Sequence, residues 1–399
     1  MINPSAPGWI DKFFIEQPFS ASLISESYES FYFKVRNTGF IYGHIISFDT
    51  PKTINTKGWF KEEISKIALL NTLFEMYCFT EKNIDYPIFI SKAVDFYNQM
   101  NPQGFDLFKK LLPKNSASIT LEKIINERVQ TNESIVSKNF SHLVTNALLF
   151  IDVLAFRQYL NQNAIPPKYL KKIEDTVVGI MTNALKIKTN KTQYDKLLIK
   201  LFEASLRYSK FSENSMTTLS HLQLDYFSND LEKMYLIDMA GMALWSDGKI
   251  EQEEIVFLHS LAEKLMFSDE FVNQSIFDTN EFIDTHQKDI PYFNYSNPVK
   301  HFYDHITLSV ITLIKRNKKR LVKEIVQSKE LMILIAYSTT RDLDVTEKKK
   351  IKKQLLDICK SIPSLTIFLL PGGSLLLPIL IKFIPTLLPS SFNENLDND

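Results

Sequence analysis

Apolar residues recur every three or four positions along most of this chain, which is the spacing of helices packed on one face. The clearest case is the stretch KEEISKIALLNTLFEMYCF at residues 61–79. Further helices are predicted at 88–100, 105–111, 121–130, 140–161, 167–186 and 193–209. No alternating strand pattern follows residue 50. The sequence therefore predicts an all-α fold.

The first 57 residues lack this periodicity. Pro4, Pro7 and Pro18 argue against an early helix, because proline has no backbone N–H to donate and punctuates local structure. Residues 31–35 and 40–48 have the composition of short extended pieces. We therefore predict an irregular segment at 1–57 and a helical domain at 58–227.

A stretch near the end of the sequence departs from the amphipathic pattern. From Leu365 to Leu388, fifteen of 24 residues are Leu, Ile or Phe, and Lys382 is the only charged residue. About 20 helical residues cross the roughly 30 Å hydrocarbon layer of a membrane, whereas each proline costs about 3 kcal/mol inside a soluble helix. The prolines in and beside this stretch are Pro363, Pro371, Pro378, Pro385 and Pro389.

These properties favour a membrane segment. Fifteen apolar side chains favour insertion by roughly 4–9 kcal/mol, against about 2.5–3.5 kcal/mol for one central lysine. The ammonium of Lys382 can also reach the lipid headgroups. Three arrangements stay open: one kinked span, a re-entrant or surface-lying segment with its tip at 371–373, and a soluble core element.

Charge asymmetry gives the expected orientation. Six lysines lie at 348–360 and no Lys or Arg follows Lys382, so the positive-inside rule places residues 1–360 in the cytoplasm. The N-terminal residues lack the apolar core of a secretory signal. Cys78 and Cys359 lack the pairing of a disulfide framework, which fits a reducing compartment. The lysines equally suit a solvated helix face.

Composition limits the function classes. Lys+Arg and Asp+Glu both number 46. The chain therefore lacks the positive net charge that would indicate DNA as a partner. The glycine-rich nucleotide loops, the GxSxG nucleophile motif and CxxC are absent from the sequence, so no enzyme is predicted. Asp152 is the one carboxylate on an otherwise apolar helix. A pair with a base such as Arg157 explains it better than an acidic site.

Residues 342–392 resemble the membrane-anchoring segment of the LETM family, the leucine-zipper and EF-hand-containing transmembrane proteins of the mitochondrial inner membrane. The resemblance rests on a basic helix that begins with Thr-Glu, on five prolines in register and on the ending LPSSF. The matching residues are Thr346, Glu347, Asp357, Pro363, Phe368, Pro371, Leu376, Leu377, Pro378, Lys382, Pro385, Leu388, Pro389, Ser390 and Phe392.

This resemblance implies a membrane anchor at 341–392 and, by the family name alone, ribosome binding. It points to bacterial relatives labelled LETM-related and biofilm-associated, and therefore implies the inner membrane of a bacterium as the location. Ser374 stands where the family has an acidic residue, so ion exchange is poorly supported. Only the acidic tail 393–399 follows Phe392. We therefore do not expect the family's large C-terminal domain, which supplies its ribosome binding and EF-hand.

Residues 231–276 resemble the helix-turn-helix core of TerB, the tellurite-resistance family. The resemblance implies a TerB-like domain at 228–340 and a divalent-metal site formed by Asp247, Glu251 and Glu254. The alternative is turn chemistry at Asp247 and glutamates that stabilise a helix N-terminus. The residues that carry the resemblance are Asp247, Gly248, Ile250, Glu254, Leu261 and Ala262.

The sequence around this turn holds further patterns. Small residues at 240, 241 and 243 predict a close helix contact. A fainter copy of this turn lies at the start of the LETM-like segment and predicts Thr346 as a helix N-cap. The stretch 298–337 predicts one long helix or two broken ones, and its cluster KRNKKR at 315–320 suits acidic lipid, RNA or a solvated face.

Together these features predict a non-catalytic, membrane-anchored scaffold or regulator. Its expected partners are the membrane, another protein and the ribosome, with a link to biofilm or envelope function. A cation or proton transporter is one alternative, and a metal-responsive TerB-like module is another. No cofactor is expected beyond a divalent metal at the TerB-like turn.

Overall fold

The computed structural model describes residues 2–100, 116–129, 141–189, 219–245, 250–286, 298–341, 343–362 and 377–383, with isolated positions between 191 and 203 and at 365. Most of these residues are helical, and none of them lies in a strand. The all-α prediction is confirmed for this part of the chain.

The described helices are named here in chain order. They are α1 (Trp9–Glu16), α2 (Tyr28–Asn37), α3 (Lys61–Glu81), α4 (Tyr86–Met100), α5 (Ala117–Val129), α6 (Ser141–Gln162), α7 (Tyr169–Ile187), α8 (Asp230–Leu244), α9 (Gln252–Lys264), α10 (Asp269–His286), α11 (Pro298–Gln327), α12 (Lys329–Thr340), α13 (Val345–Ser361) and α14 (Leu377–Phe383). Helices α3 to α7 lie within a few residues of their predicted positions. The helix predicted at 105–111, and most of that at 193–209, falls outside the described residues.

The N-terminal region contains helices where none was predicted. Helix α1 lies between Pro7 and Pro18, and α2 includes residues 31–35. Residues 40–48 form turns and loop. The predictions of extended pieces and of no early helix were therefore wrong, because these prolines flank helix ends, where a missing N–H is tolerated.

A carboxylate from a distant helix stabilises the start of α1. Glu122 of α5 accepts hydrogen bonds from the backbone N–H groups of Gly8 and Ile10, each at 3.1 Å. The first N–H groups of a helix have no partner within the helix, and a negative charge there is favourable. Because this cap comes from more than 100 positions away, the local sequence gave no sign of it.

Two central helices, α3 and α8, are buried on nearly all sides. Helix α3 packs against α4, α5 and α6, and α8 packs against α2, α7, α9 and α10. A helix that is apolar around its whole circumference belongs in a protein interior. The buried residues form one hydrophobic cluster, so the predicted boundary near residue 228 lies between helices α7 and α8, which are in contact.

Two glycines in these helices differ in their surroundings. A Cβ atom added at Gly241 in α8 would meet no atom within 4 Å. A Cβ atom added at Gly179 in α7 would lie 2.6 Å from Cδ2 of Leu222. Of the three small residues at 240, 241 and 243, Gly241 is therefore not itself in a close contact, whereas Gly179 of α7 lies close to Leu222.

Candidate functional site in the C-terminal helices

Helix α13 begins with a capping box in the LETM-like segment. Glu347 Oε2 accepts a hydrogen bond from the Asp344 N–H at 2.9 Å, and Asp344 Oδ1 accepts one from the Glu347 N–H at 2.8 Å. Asp344 is the N-cap residue, so the prediction that Thr346 has this role was wrong. The exchange satisfies two N–H groups that a helix start leaves open.

A guanidinium completes this N-terminus. Arg341 donates to both carboxylate oxygens of Glu347, at 2.6 and 2.8 Å. This bidentate pair and the Asp344 N–H lower the pKa of Glu347 to about 2. The glutamate of the LETM-like motif therefore fixes the start of the basic helix, which explains in structural terms why that position is acidic.

Helix α13 has an apolar face and a lysine-rich face. The buried side chains follow helical spacing, and burial raises the pKa of the Cys359 thiol to about 12. Lys348, Lys349 and Lys353 are half-buried or exposed and form no ion pair with any described residue. The buried residues of the helix are Ile351, Leu355, Ile358 and Cys359.

Helices α12 and α13 are joined by polar contacts. Glu330 accepts hydrogen bonds from Lys350 at 2.8 Å and from Gln354 at 2.7 Å. Ser328, which caps α12, donates to Gln354 at 2.8 Å. The stretch 298–337 was predicted as one long helix or two broken ones. It forms two helices, which are separated at Ser328. Since α11 contacts α12, α13 and α14, these four helices form one unit, called the C-terminal unit below.

The apolar segment is described only in part. Helix α14 has Ile379, Leu380 and Ile381 buried and Lys382 exposed, and it packs against α11. Pro378 lies within this helix. The other predicted membrane-segment residues, Pro363, Pro371, Pro385, Pro389 and Phe392, lie outside the described residues.

Helix length is the finding that bears on the membrane prediction. Among the described residues, no helix has both the length and the apolar character needed to cross a bilayer. Helix α14 has seven residues, whereas a span needs about 20. The described part of the segment therefore shows a short helix packed on α11.

The TerB-like turn places two of its three candidate metal ligands at a helix start. Glu254 Oε2 accepts a hydrogen bond from the Glu251 N–H at 2.8 Å, and Glu251 is the N-cap of α9. Glu254 is buried. Asp247 lies outside the described residues. Within the described ranges, no cluster of three or more His, Cys, Asp or Glu side chains could hold a metal ion.

A buried charge network that the sequence did not indicate lies between α2, α8 and α10. The Arg36 guanidinium lies 3.4 Å from the Asp238 carboxylate and also contacts Asp278. Asp238 accepts further hydrogen bonds from Tyr32, at 2.7 Å, and from Ser275. The partners are more than 200 positions apart for Arg36 and Asp238, so no local pattern could indicate the pair.

Asp152 pairs with a different base from the one expected. Arg128 of α5 donates through Nε to Asp152 at 2.7 Å, and Tyr97 donates to the same oxygen at 3.0 Å. Arg157 instead lies over the ring of Tyr28 at 4.7 Å. The expectation of an ion pair rather than an acidic site agrees with this geometry, but Arg157 was the wrong partner because its side chain points to another face of α6.

Two small cavities, of about 30 and 10 Å³, lie beside α3 and share Asp49 and Glu75 in their walls. Asn71 donates to the Asp49 carbonyl at 3.0 Å and to the Glu75 carboxylate. Burial, and then the charge of Asp49, raise the pKa of Glu75 well above its ordinary value. The cavities have room for about one or two water molecules, so they do not form a pocket for an organic substrate.

Comparison with known proteins adds a family resemblance for residues 343–399. A family model described as LETM1-like, RBD (ribosome-binding domain) matches residues 343–399. No curated protein matches the chain, and no solved structure does. This region is therefore similar to a LETM-type family, as its sequence indicated. The matching model is the one named for ribosome binding, which we had expected from the family's large C-terminal domain rather than from residues 343–399.

Proposed function

We propose that this chain is a non-catalytic, LETM-related protein that binds the ribosome at a membrane surface. The match of the LETM1-like ribosome-binding family to residues 343–399 carries the proposal. Helix α13 is the longer of the two helices described within the matched range. Its capping box and its contacts with α12 hold the helix in place, so its outer face is a preformed binding surface.

The chemistry of that face fits ribosomal RNA. Lys349 and Lys353 lie four residues apart on this face, and Lys348 lies in the first turn beside the apolar face. None of the three has an anionic partner among the described residues. Unpaired lysines gain binding free energy when they neutralise RNA phosphates, because the counterions condensed on those phosphates are released. The chain as a whole carries no net charge, so this attraction is local to the C-terminal unit and does not make the protein a general binder of nucleic acids.

The membrane part of the proposal rests on the apolar segment. The fifteen Leu, Ile and Phe residues between Leu365 and Leu388 favour the bilayer. The contact of α14 with α11 supports the re-entrant or surface-lying arrangement, because it holds this part of the segment against the protein. The lysines that precede the segment support a cytoplasmic body at the inner membrane of a bacterium.

In this arrangement the helical body is a scaffold or regulator, and its ribosome contact brings translation close to the membrane. A role in biofilm or envelope function follows from the bacterial relatives that the sequence resembles. Ser374 in place of the family's acidic residue gives the transporter alternative no intramembrane carboxylate, so ribosome binding is the function that the observations support best.

Co-sedimentation with purified ribosomes tests the proposal. The full chain, kept in detergent micelles, is compared with a variant that carries Lys348→Gln, Lys349→Gln and Lys353→Gln. A matched control carries Lys52→Gln, Lys57→Gln and Lys264→Gln, which are exposed lysines of the body. We expect the wild type and the control to pellet with ribosomes and the α13 variant to be depleted from the pellet. A wild-type chain that stays in the supernatant contradicts the proposal.

Alkaline carbonate washing of cell membranes tests the membrane part separately. The full chain is expected to resist extraction. A chain that is extracted completely, while ribosome binding persists, would limit the proposal to ribosome binding.

A further inference from the structure

A row of cations runs along the solvent face of α11. Lys315, Lys319 and Lys323 are spaced four residues apart, and all three are exposed. With a rise of about 1.5 Å per residue, the row spans about 12 Å. Exposed Lys318 and Arg320 lie on either side of it. These five residues are called the α11 basic row below.

The opposite face of the same helix is packed into the protein. Its buried residues follow helical spacing, and α11 contacts α12, α13 and α14. The α11 basic row therefore has a fixed orientation and points away from the core. The buried residues are Val310, Leu313, Ile314, Leu321 and Ile325.

The cations of this row form no ion pair within the part of the chain that the structure describes. None of the five forms an ion pair with a described residue, whereas Lys350, Lys360 and Arg341 nearby are each paired with a carboxylate. Like charges four residues apart on a helix destabilise it by a few tenths of a kcal/mol per pair. The row therefore costs folding stability without an internal benefit, which is typical of a surface that meets an anionic partner.

We propose that the α11 basic row binds the phosphate backbone of RNA in the ribosome. The inference rests on the proposed ribosome binding and extends the binding surface beyond residues 343–399, since α11 ends at Gln327. Phosphate contacts of this kind position a protein on RNA without reading its sequence. Because the row and α13 belong to one packed unit, the two surfaces contact the ribosome together.

The shape of α11 favours RNA over a lipid surface. A helix that lies in a membrane interface inserts its apolar face and keeps its cations at the headgroups. The apolar face of α11 is already buried against the protein, and the side chains described as exposed between Lys315 and Lys323 are all charged. A surface that offers only cations is suited to RNA, because RNA presents closely spaced phosphates.

The test compares three forms of the full chain in detergent micelles: wild type, a variant with Lys315→Gln, Lys319→Gln and Lys323→Gln, and the control with Lys52→Gln, Lys57→Gln and Lys264→Gln. Each is titrated with purified ribosomal RNA over a range of salt concentrations. We expect the α11 variant to bind roughly tenfold more weakly at low salt, with a log–log salt slope shallower by about 2–3. Circular dichroism checks that all three forms are equally folded.

Two further measurements separate the outcomes. If the wild type and the α11 variant bind RNA with equal affinity and equal salt slope, the inference is overturned. It is also overturned if the variant loses only its binding to phosphatidylglycerol vesicles, because the row then binds lipid. Ribosome co-sedimentation distinguishes the two proposals: a wild type that does not pellet removes the proposed function, whereas equal pelleting of wild type and α11 variant removes only this inference.

Discussion

The guanidinium of Arg36 lies 3.4 Å from the carboxylate of Asp238, and both side chains are almost completely buried. The pair joins α2, in a region where the sequence predicted no helix, to the central helix α8. The Arg36 guanidinium also lies 4.7 Å from the ring centre of Phe33. The N-terminal residues are thus part of the same core as the TerB-like region.

Removal of one charge from this pair is expected to destabilise the protein strongly. Asp238→Asn leaves Arg36 buried with a weaker partner, and a broken buried pair costs about 3–5 kcal/mol. The control is Asp230→Asn, because the Asp230 carboxylate is mostly exposed and 4.0 Å from Lys233, where pairs contribute about 0–1 kcal/mol. Urea unfolding gives both values. A loss below about 1 kcal/mol for Asp238→Asn would show that the pair contributes little.

Which parts of the fold could be predicted from the sequence depends on how far apart the interacting residues lie along the chain. Helices such as α3 and α6 were predictable because their apolar residues follow one period over many turns. Helix α1 was missed because its N-terminal cap comes from Glu122, more than 100 positions away. Arg128 was missed as the partner of Asp152 for the same reason, since the contact depends on how α5 packs against α6.

The two glycines in α7 and α8 should respond in opposite directions to the same substitution. Gly241→Ala places a methyl group in open space within a helix, so we expect a gain of about 0.5–1 kcal/mol. Gly179→Ala collides with the Leu222 side chain, and overpacking costs about 1–3 kcal/mol. Thermal and urea unfolding of the two variants measure the difference. Equal effects in the same direction would contradict the assigned packing.

The Glu75 carboxyl beside Asn71 should make stability depend on pH. Its pKa in the folded state is raised above the ordinary 4.5, so the folded state holds the proton more tightly than the unfolded state. The contribution is complete below about pH 4.5 and is lost as the pH rises through the folded-state pKa. Urea unfolding between pH 4 and 8 should therefore show a steeper decline for the wild type than for Glu75→Gln, in which Glu127, whose pKa burial raises to about 7, still contributes. Parallel pH profiles would refute the raised pKa.

The glutamates of the TerB-like turn should act as helix caps. Glu254→Ala removes the acceptor for the Glu251 N–H, and we expect a loss of about 1 kcal/mol, with or without added divalent metal. Glu254→Gln keeps an acceptor and should remain close to wild type. Differential scanning calorimetry with calcium, magnesium or a chelator measures this. A metal-dependent rise in Tm that Glu254→Gln abolishes would instead support the predicted metal site.

The candidate site was partly visible in the sequence. The basic helix and the proline-rich segment were recognisable because their residues lie close together along the chain. The pairing of Glu347 with Arg341 depends on the loop before α13, and the packing of α14 against α11 joins residues far apart in sequence. These contacts required the folded unit, and they decide which lysines are left free to bind a partner.

Flotation of ribosomes with proteoliposomes tests the central claim most directly, because it requires membrane association and ribosome binding at once. Vesicles that carry the full chain are mixed with purified ribosomes and centrifuged upward through a density gradient. We predict that ribosomes float with wild-type vesicles and remain at the bottom with vesicles that carry Lys348→Gln, Lys349→Gln and Lys353→Gln. Ribosomes that remain at the bottom while the wild-type protein floats would contradict the account.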